Sequence, residues 1–228
     1  MANGELPFAV EGIIGAGKST LVRTIGRELG LGVTLEDVAG NPFLADFYKA
    51  LAGNESYKTA LIDTQIWLLE RRTQQLENSF TQYNNRFVID RTLQGDLAFY
   101  AQLYAGGFIS KPQFETLKTH LERRLNYLFN EGLLPKTVIW LEITPENAYK
   151  RMKQRSRDIE AKVEVDYLQG LKSQYEGYVL PLIAESASLI FIDWNRPLEY
   201  YEHGSQSYLF RLPQELKEKL TSQIRAYQ

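Results

Sequence analysis

Residues 12–19 read Gly12-Ile13-Ile14-Gly15-Ala16-Gly17-Lys18-Ser19 and fill the pattern G-x-x-x-x-G-K-[ST] at every position. A loop of this kind turns its backbone N–H groups toward oxygen anions, and it needs glycines because its turns take angles that other residues resist. Lys18 adds a mobile positive charge for the β- and γ-phosphates, and the Ser19 hydroxyl is of the type that ligates Mg²⁺. The apolar run Phe8-Ala9-Val10 precedes the loop, and Thr20-Leu21-Val22-Arg23-Thr24-Ile25 continues it as an amphipathic helix. Strand, glycine loop and helix in this order set a helix N-terminus against a phosphate. One motif therefore constrains both the fold and the ligand. The chain binds a nucleoside triphosphate, ATP in the simplest case, with Gly12, Gly15, Ala16, Gly17, Lys18, Ser19 and Thr20 around the phosphates.

The remaining sequence extends the same architecture. Short β-type runs at 8–10, 33–36, 87–90, 138–142 and 189–193 alternate with helical patterns at 18–29, 42–52, 57–80, 96–105, 111–131, 145–155, 164–186 and 213–226. Four of the five runs are nearly all apolar, as expected of strands covered on both faces. Pro42, Pro112, Pro145 and Pro213 fall near helix starts, where a missing N–H costs little. The expected fold is α/β: a doubly wound, five-stranded parallel sheet flanked by helices, in a single domain over 1–228.

Bulk properties exclude several classes. A net charge of −2 lacks the basic surplus of a nucleic-acid binder. No apolar run approaches the roughly 20 residues of a membrane span, and the N-terminus does not read as a signal peptide. The chain has no cysteine, which removes thiolate metal sites and fits a reducing, cytoplasmic setting. The two histidines, His120 and His203, lie too far apart in sequence to suggest a local metal site.

In a doubly wound sheet, ligands bind outside the carboxyl ends of the strands. Charged clusters stand at three such ends: Glu36-Asp37, Asp90-Arg91 and Asp193-Trp194-Asn195. A fourth group, Arg151, Arg155 and Arg157, follows the fourth strand. Arg151 and Arg155 share a helix face, and Arg157 lies beyond it, so the segment at about 151–163 reads as an arginine-rich lid over the triphosphate.

Taken together, Glu11 to Thr20, Glu36-Asp37-Val38 with Asn41-Pro42-Phe43-Leu44, Asp90-Arg91-Thr92 with Asp96, and Thr144-Pro145-Glu146 leading into the lid resemble the deoxynucleoside kinase family over nearly the whole chain. The Asn-Pro-Phe-Leu stretch looks most like its bacterial purine members. The resemblance implies an ATP- and Mg²⁺-dependent 5′-phosphorylation of a deoxyribonucleoside in salvage. Glu36 matches the carboxylate that takes the 5′-hydroxyl proton, and Arg91 the arginine near the 5′-oxygen, with Lys18, Arg151 and Arg155 completing the catalytic set. Asp90, with Ser19, matches the metal-associated carboxylate, although most members have a Glu-Arg-Ser triplet here.

Gln65 matches the glutamine that reads the base, and Arg72, seven residues on, pairs with Asp96 in members that use deoxycytidine or deoxypurines. Tyr48 matches the tyrosine on the sugar 3′-hydroxyl, with Tyr57 as an alternative because 50–55 looks like an insertion. Glu160 matches a lid carboxylate on the same hydroxyl. Asp193-Trp194-Asn195 falls where the family has its donor-base loop. The resemblance also implies a homodimer and feedback inhibition by an end-product deoxynucleoside triphosphate.

Two other readings compete. A thymidylate kinase would carry arginines for an acceptor phosphate after the second strand, where this chain has Leu35-Glu36-Asp37-Val38. A non-enzymatic nucleotide-binding module would not explain base, lid and acceptor motifs together.

Overall fold

The computed structural model of the chain describes residues 6–225 except 39, 156–162, 196–199 and 204–206. Five strands form one sheet: β1 (Phe8–Glu11), β2 (Gly32–Thr34), β3 (Phe87–Asp90), β4 (Thr137–Glu142) and β5 (Ser188–Asp193). Their order is β2-β3-β1-β4-β5 and every pairing is parallel. β1 and β3 are buried along their whole length, which is why they read as unbroken apolar runs up to a charged last residue. The strand order reverses beside β1, so the loop leaving β1 opens onto the crevice where ligands bind.

Helices cover the sheet. α1 (Lys18–Leu29) packs on β1, β2 and β3, and α3 (Ala60–Tyr83) packs on β2 and β3. Between them lie α2 (Leu44–Leu51) and a short 3₁₀ turn, Glu55–Tyr57. After β3 come α4 (Asp96–Ala105) and α5 (Lys111–Asn130), the latter started by a reciprocal capping box between Ser110 and Gln113. α6 (Pro145–Arg155) and α7 (Val165–Gln174) follow β4.

Three local features depart from expectation. β2 ends at Thr34, so Leu35 and Glu36 lie beyond the strand. The Leu35 carbonyl accepts a hydrogen bond from Gln75 Nε2 at 3.0 Å in place of a ladder bond, which turns the chain off the sheet edge. The helix read over 164–186 is divided: α7 passes into a π-turn, Tyr175–Val179, before α8 (Leu180–Ala184). Pro181 explains the wider turn, because it has no N–H for the Gly177 carbonyl and its ring crowds that group. Finally, β6 (Tyr200–His203) and β7 (Ser207–Phe210) form an antiparallel hairpin ahead of α9 (Gln214–Arg225).

Candidate active site

β1 delivers the phosphate loop. Gly15 has φ +81°, and a Cβ there would stand 2.2 Å from the Ala148 carbonyl oxygen on α6, so only glycine fits this contact. The Lys18 ammonium folds back onto the loop and donates to the carbonyls of Gly12 (2.9 Å) and Ile13 (3.0 Å). Burial, then repulsion from Arg91, lowers its pKa to about 8. Ser19 Oγ, on the first turn of α1, donates to Asp90 Oδ2 at the end of β3 at 2.5 Å. Burial raises the Asp90 pKa, and its second oxygen, Oδ1, is buried without a hydrogen-bond partner. A hydroxyl beside a carboxylate with one unused oxygen suits a divalent cation.

Opposite the loop stands Glu36, gripped by two arginines. Its Oε1 accepts from Arg72 Nη2 at 2.5 Å and its Oε2 from Arg91 Nε at 3.1 Å. Burial pushes the carboxyl pKa up, but Arg91, Arg72 and Lys18 together outweigh it and leave it at about 2. Arg72 also donates through Nη1 to Asp96 Oδ1, so it spans the two carboxylates. Burial raises Asp96 to about 6 against the pull of Arg72. Gln65 and Arg72 occupy the buried stripe of α3 that Leu61, Leu69 and Leu76 otherwise fill. Polar groups in an apolar stripe are costly unless something uses them.

These groups border a single cavity of about 1520 Å³ that runs from Gly15, Gly17 and Lys18 past Glu36 to Gln65. That exceeds the roughly 300–1,000 Å³ of a pocket for one small ligand. Tyr48 and Tyr167 both line it, and burial, then the neighbouring Tyr48, raises the Tyr167 pKa. Tyr57 lies apart from the cavity, with Lys49 Nζ 4.4 Å above its ring.

Among the lid residues, Arg151 does not reach over open space. Its Nη1 donates to the Ala16 carbonyl at 3.0 Å and its Nη2 to the Trp194 carbonyl at 2.7 Å, joining the phosphate loop to the segment after β5. Asn195 braces that segment, accepting through Oδ1 from the Thr144 N–H at 2.8 Å. The Arg155 side chain, Arg157 and Glu160 lie outside the described residues.

Two residues with no role in the sequence reading belong to the site. Glu11, the last residue of β1, is fully buried, as is Tyr175 at the start of the π-turn. A charged residue closing an otherwise apolar strand was the available signal for Glu11. Tyr175 had none, since it occupies a core position on a helical pattern.

One cavity that joins a phosphate loop to an arginine-held carboxylate describes a phosphotransferase of the P-loop kinase class. Residues 8–212 match the family model described as deoxynucleoside kinase, and the chain belongs to that family. It is 33% identical over 188 residues to a deoxyadenosine kinase of Dictyostelium discoideum, covering 82% of this chain and 72% of that protein. A deoxyguanosine kinase of the same organism is 32% identical over 190 residues; 82% of this chain aligns, and the match spans only 63% of the relative's length. The deoxyadenosine kinase from M. mycoides, solved with bound dATP, superposes with a TM-score of 0.68 at 27% identity over 82% of this chain and 90% of that one.

Proposed function

We propose that this chain transfers the γ-phosphoryl group of ATP to the 5′-hydroxyl of a purine deoxyribonucleoside. The observation that carries this reading is Glu36, a carboxylate facing the phosphate loop with both oxygens anchored by Arg72 and Arg91. In the transfer, the 5′-oxygen bonds to the γ-phosphorus, the bond from that phosphorus to the β–γ bridging oxygen breaks, and the hydroxyl proton passes to Glu36. The products are ADP and the nucleoside 5′-monophosphate. With a pKa near 2, Glu36 orients the hydroxyl early and takes its proton late, as a loose transition state permits. Arg91 and Lys18 stabilise charge on the transferring group. Arg151 organises the donor side, and Arg155 and Arg157 complete the lid.

Ser19 and Asp90 are the residues that would hold Mg²⁺, which neutralises charge on the β- and γ-phosphates when bound. Gln65, Arg72 and Asp96 read the base, and Tyr48 with Glu160 holds the 3′-hydroxyl. The purine preference draws support from the names of the Dictyostelium relatives. A homodimer in the cytoplasm, inhibited by the triphosphate of its end product, completes the reading; no described helix is long and apolar enough to cross a membrane.

ADP release with Mg·ATP tests the assignment against deoxyadenosine, deoxyguanosine, deoxycytidine, thymidine and thymidine monophosphate. Turnover should be fastest with a deoxypurine, and Glu36→Gln should lower kcat by about 10²–10⁴ while ATP binding persists. Turnover confined to the monophosphate would replace this reading with a nucleotide kinase.

A further inference from the structure

Resting on the kinase reading above, we infer that Glu11 and Tyr175 act as a positioning relay that aims Arg91 at the reacting oxygen and ties its pose to the phosphate loop. The chain of contacts is continuous. Arg91 Nη1 donates to the Tyr175 hydroxyl at 2.6 Å, and that hydroxyl donates to Glu11 Oε2 at 3.1 Å. The same Oε2 accepts from the N–H of Gly12, the first residue of the phosphate loop, at 3.2 Å. Glu11 Oε1 accepts from Thr92 N at 2.7 Å and from Thr92 Oγ1 at 2.9 Å, on the residue that follows Arg91. One buried carboxylate therefore receives four hydrogen bonds and links the donor loop to the acceptor arginine.

Four further observations show that this arrangement is built in. Arg91 holds φ +75°, a left-handed conformation that is strained for a non-glycine residue and persists only where its surroundings enforce it. The π-turn begins at Tyr175, and such widened turns are frequent at functional sites. Gly95 leaves room for the pair: a Cβ there would stand 2.4 Å from Glu11 Oε1 and 3.1 Å from the Tyr175 oxygen. Phe99 completes the seat, its ring centroid 4.8 Å from Arg91 Cζ.

Simple packing does not account for this geometry. A core position at Tyr175 would be served by phenylalanine, with no hydroxyl to bury, and a carboxylate at Glu11 would be a liability. Burial keeps the Tyr175 hydroxyl protonated, so it can donate to Glu11 while accepting from Arg91. With one nitrogen on Glu36 and another on Tyr175, the Arg91 guanidinium is fixed at two points, as only a planar fork allows.

The experiment is steady-state kinetics on the full chain with Mg·ATP and its fastest deoxynucleoside. Tyr175→Phe should lower kcat at least tenfold and leave KM for nucleoside and ATP within twofold, because the contact serves the transition state rather than ground-state binding. In an Arg91→Lys background, where a single ammonium cannot span both partners, Tyr175→Phe should change kcat less than twofold. Gly95→Ala keeps every hydrogen-bonding group but displaces Glu11, and should reproduce the kcat loss with KM intact; it also decides the matter if Tyr175→Phe does not fold. Equal losses from Tyr175→Phe in both backgrounds, or wild-type kcat in Tyr175→Phe or Gly95→Ala, would overturn the relay while leaving the kinase activity standing. A wild type that turns over no deoxynucleoside would overturn the activity itself.

Discussion

A carboxylate held by two guanidinium groups serves first as an anchor. The pKa of Glu36, depressed from 4.5 to about 2, also has a thermodynamic side. The native state favours the ionised form, so this stabilisation is fully present above about pH 4.5 and is lost as pH falls toward 2, by about 3 kcal/mol in all. Urea unfolding at stepped pH should therefore show a gap between wild type and Glu36→Gln that narrows across that window. A constant gap would mean the two arginines do not hold the pKa down. Glu36, Asp90 and Arg91 were legible in the sequence because charged residues after apolar strands face the ligand edge of such a sheet. Tyr175 was not, since a tyrosine at helical spacing among leucines looks like core until its hydroxyl is seen between Arg91 and Glu11.

Elements were easier to read than their breaks. The strands and most helices followed from apolar runs and from prolines at helix starts, because both signals are local. The π-turn escaped detection because the apolar spacing runs on through Leu171, Tyr175, Val179 and Ile183, all fully buried. Pro181 widens the turn, but the apolar spacing on either side of it is undisturbed. Glu36 was expected at the end of a strand, but a side chain from α3 takes the Leu35 carbonyl, and no local pattern encodes that. The junction of the phosphate loop with α6 offers a test. Gly15→Ala would place a methyl against the Ala148 backbone, which cannot yield as a side chain could, and would strain a left-handed residue. ATP should bind at least tenfold more weakly by calorimetry, and unchanged affinity would show that the loop and α6 separate freely.

At the scale of the molecule, the donor half is held together from its far side. Glu28, near the end of α1, accepts from the Leu212 N–H at 3.1 Å and pairs with Lys217 Nζ at 3.0 Å, fastening α9 to the helix that begins at Lys18. Leu216, Leu220 and Ile224 are buried along α9. Removing residues 211–225 should lower Tm by at least about 10 °C, since the apolar surface that these three side chains cover becomes exposed. Lys217→Ala, which removes one partly exposed ion pair, should shift Tm by no more than about 2–4 °C. Differential scanning fluorimetry separates the two, and equal shifts would mean the ion pair rather than the apolar face secures α9. Arg151 binds the opposite side of this half, and both of its hydrogen bonds described above go to main-chain oxygens. Backbone acceptors look the same whatever residue supplies them. That contact therefore sets no requirement on the side chain at 16 or 194 while it does require an arginine at 151, and covariation between columns of an alignment would pass over it.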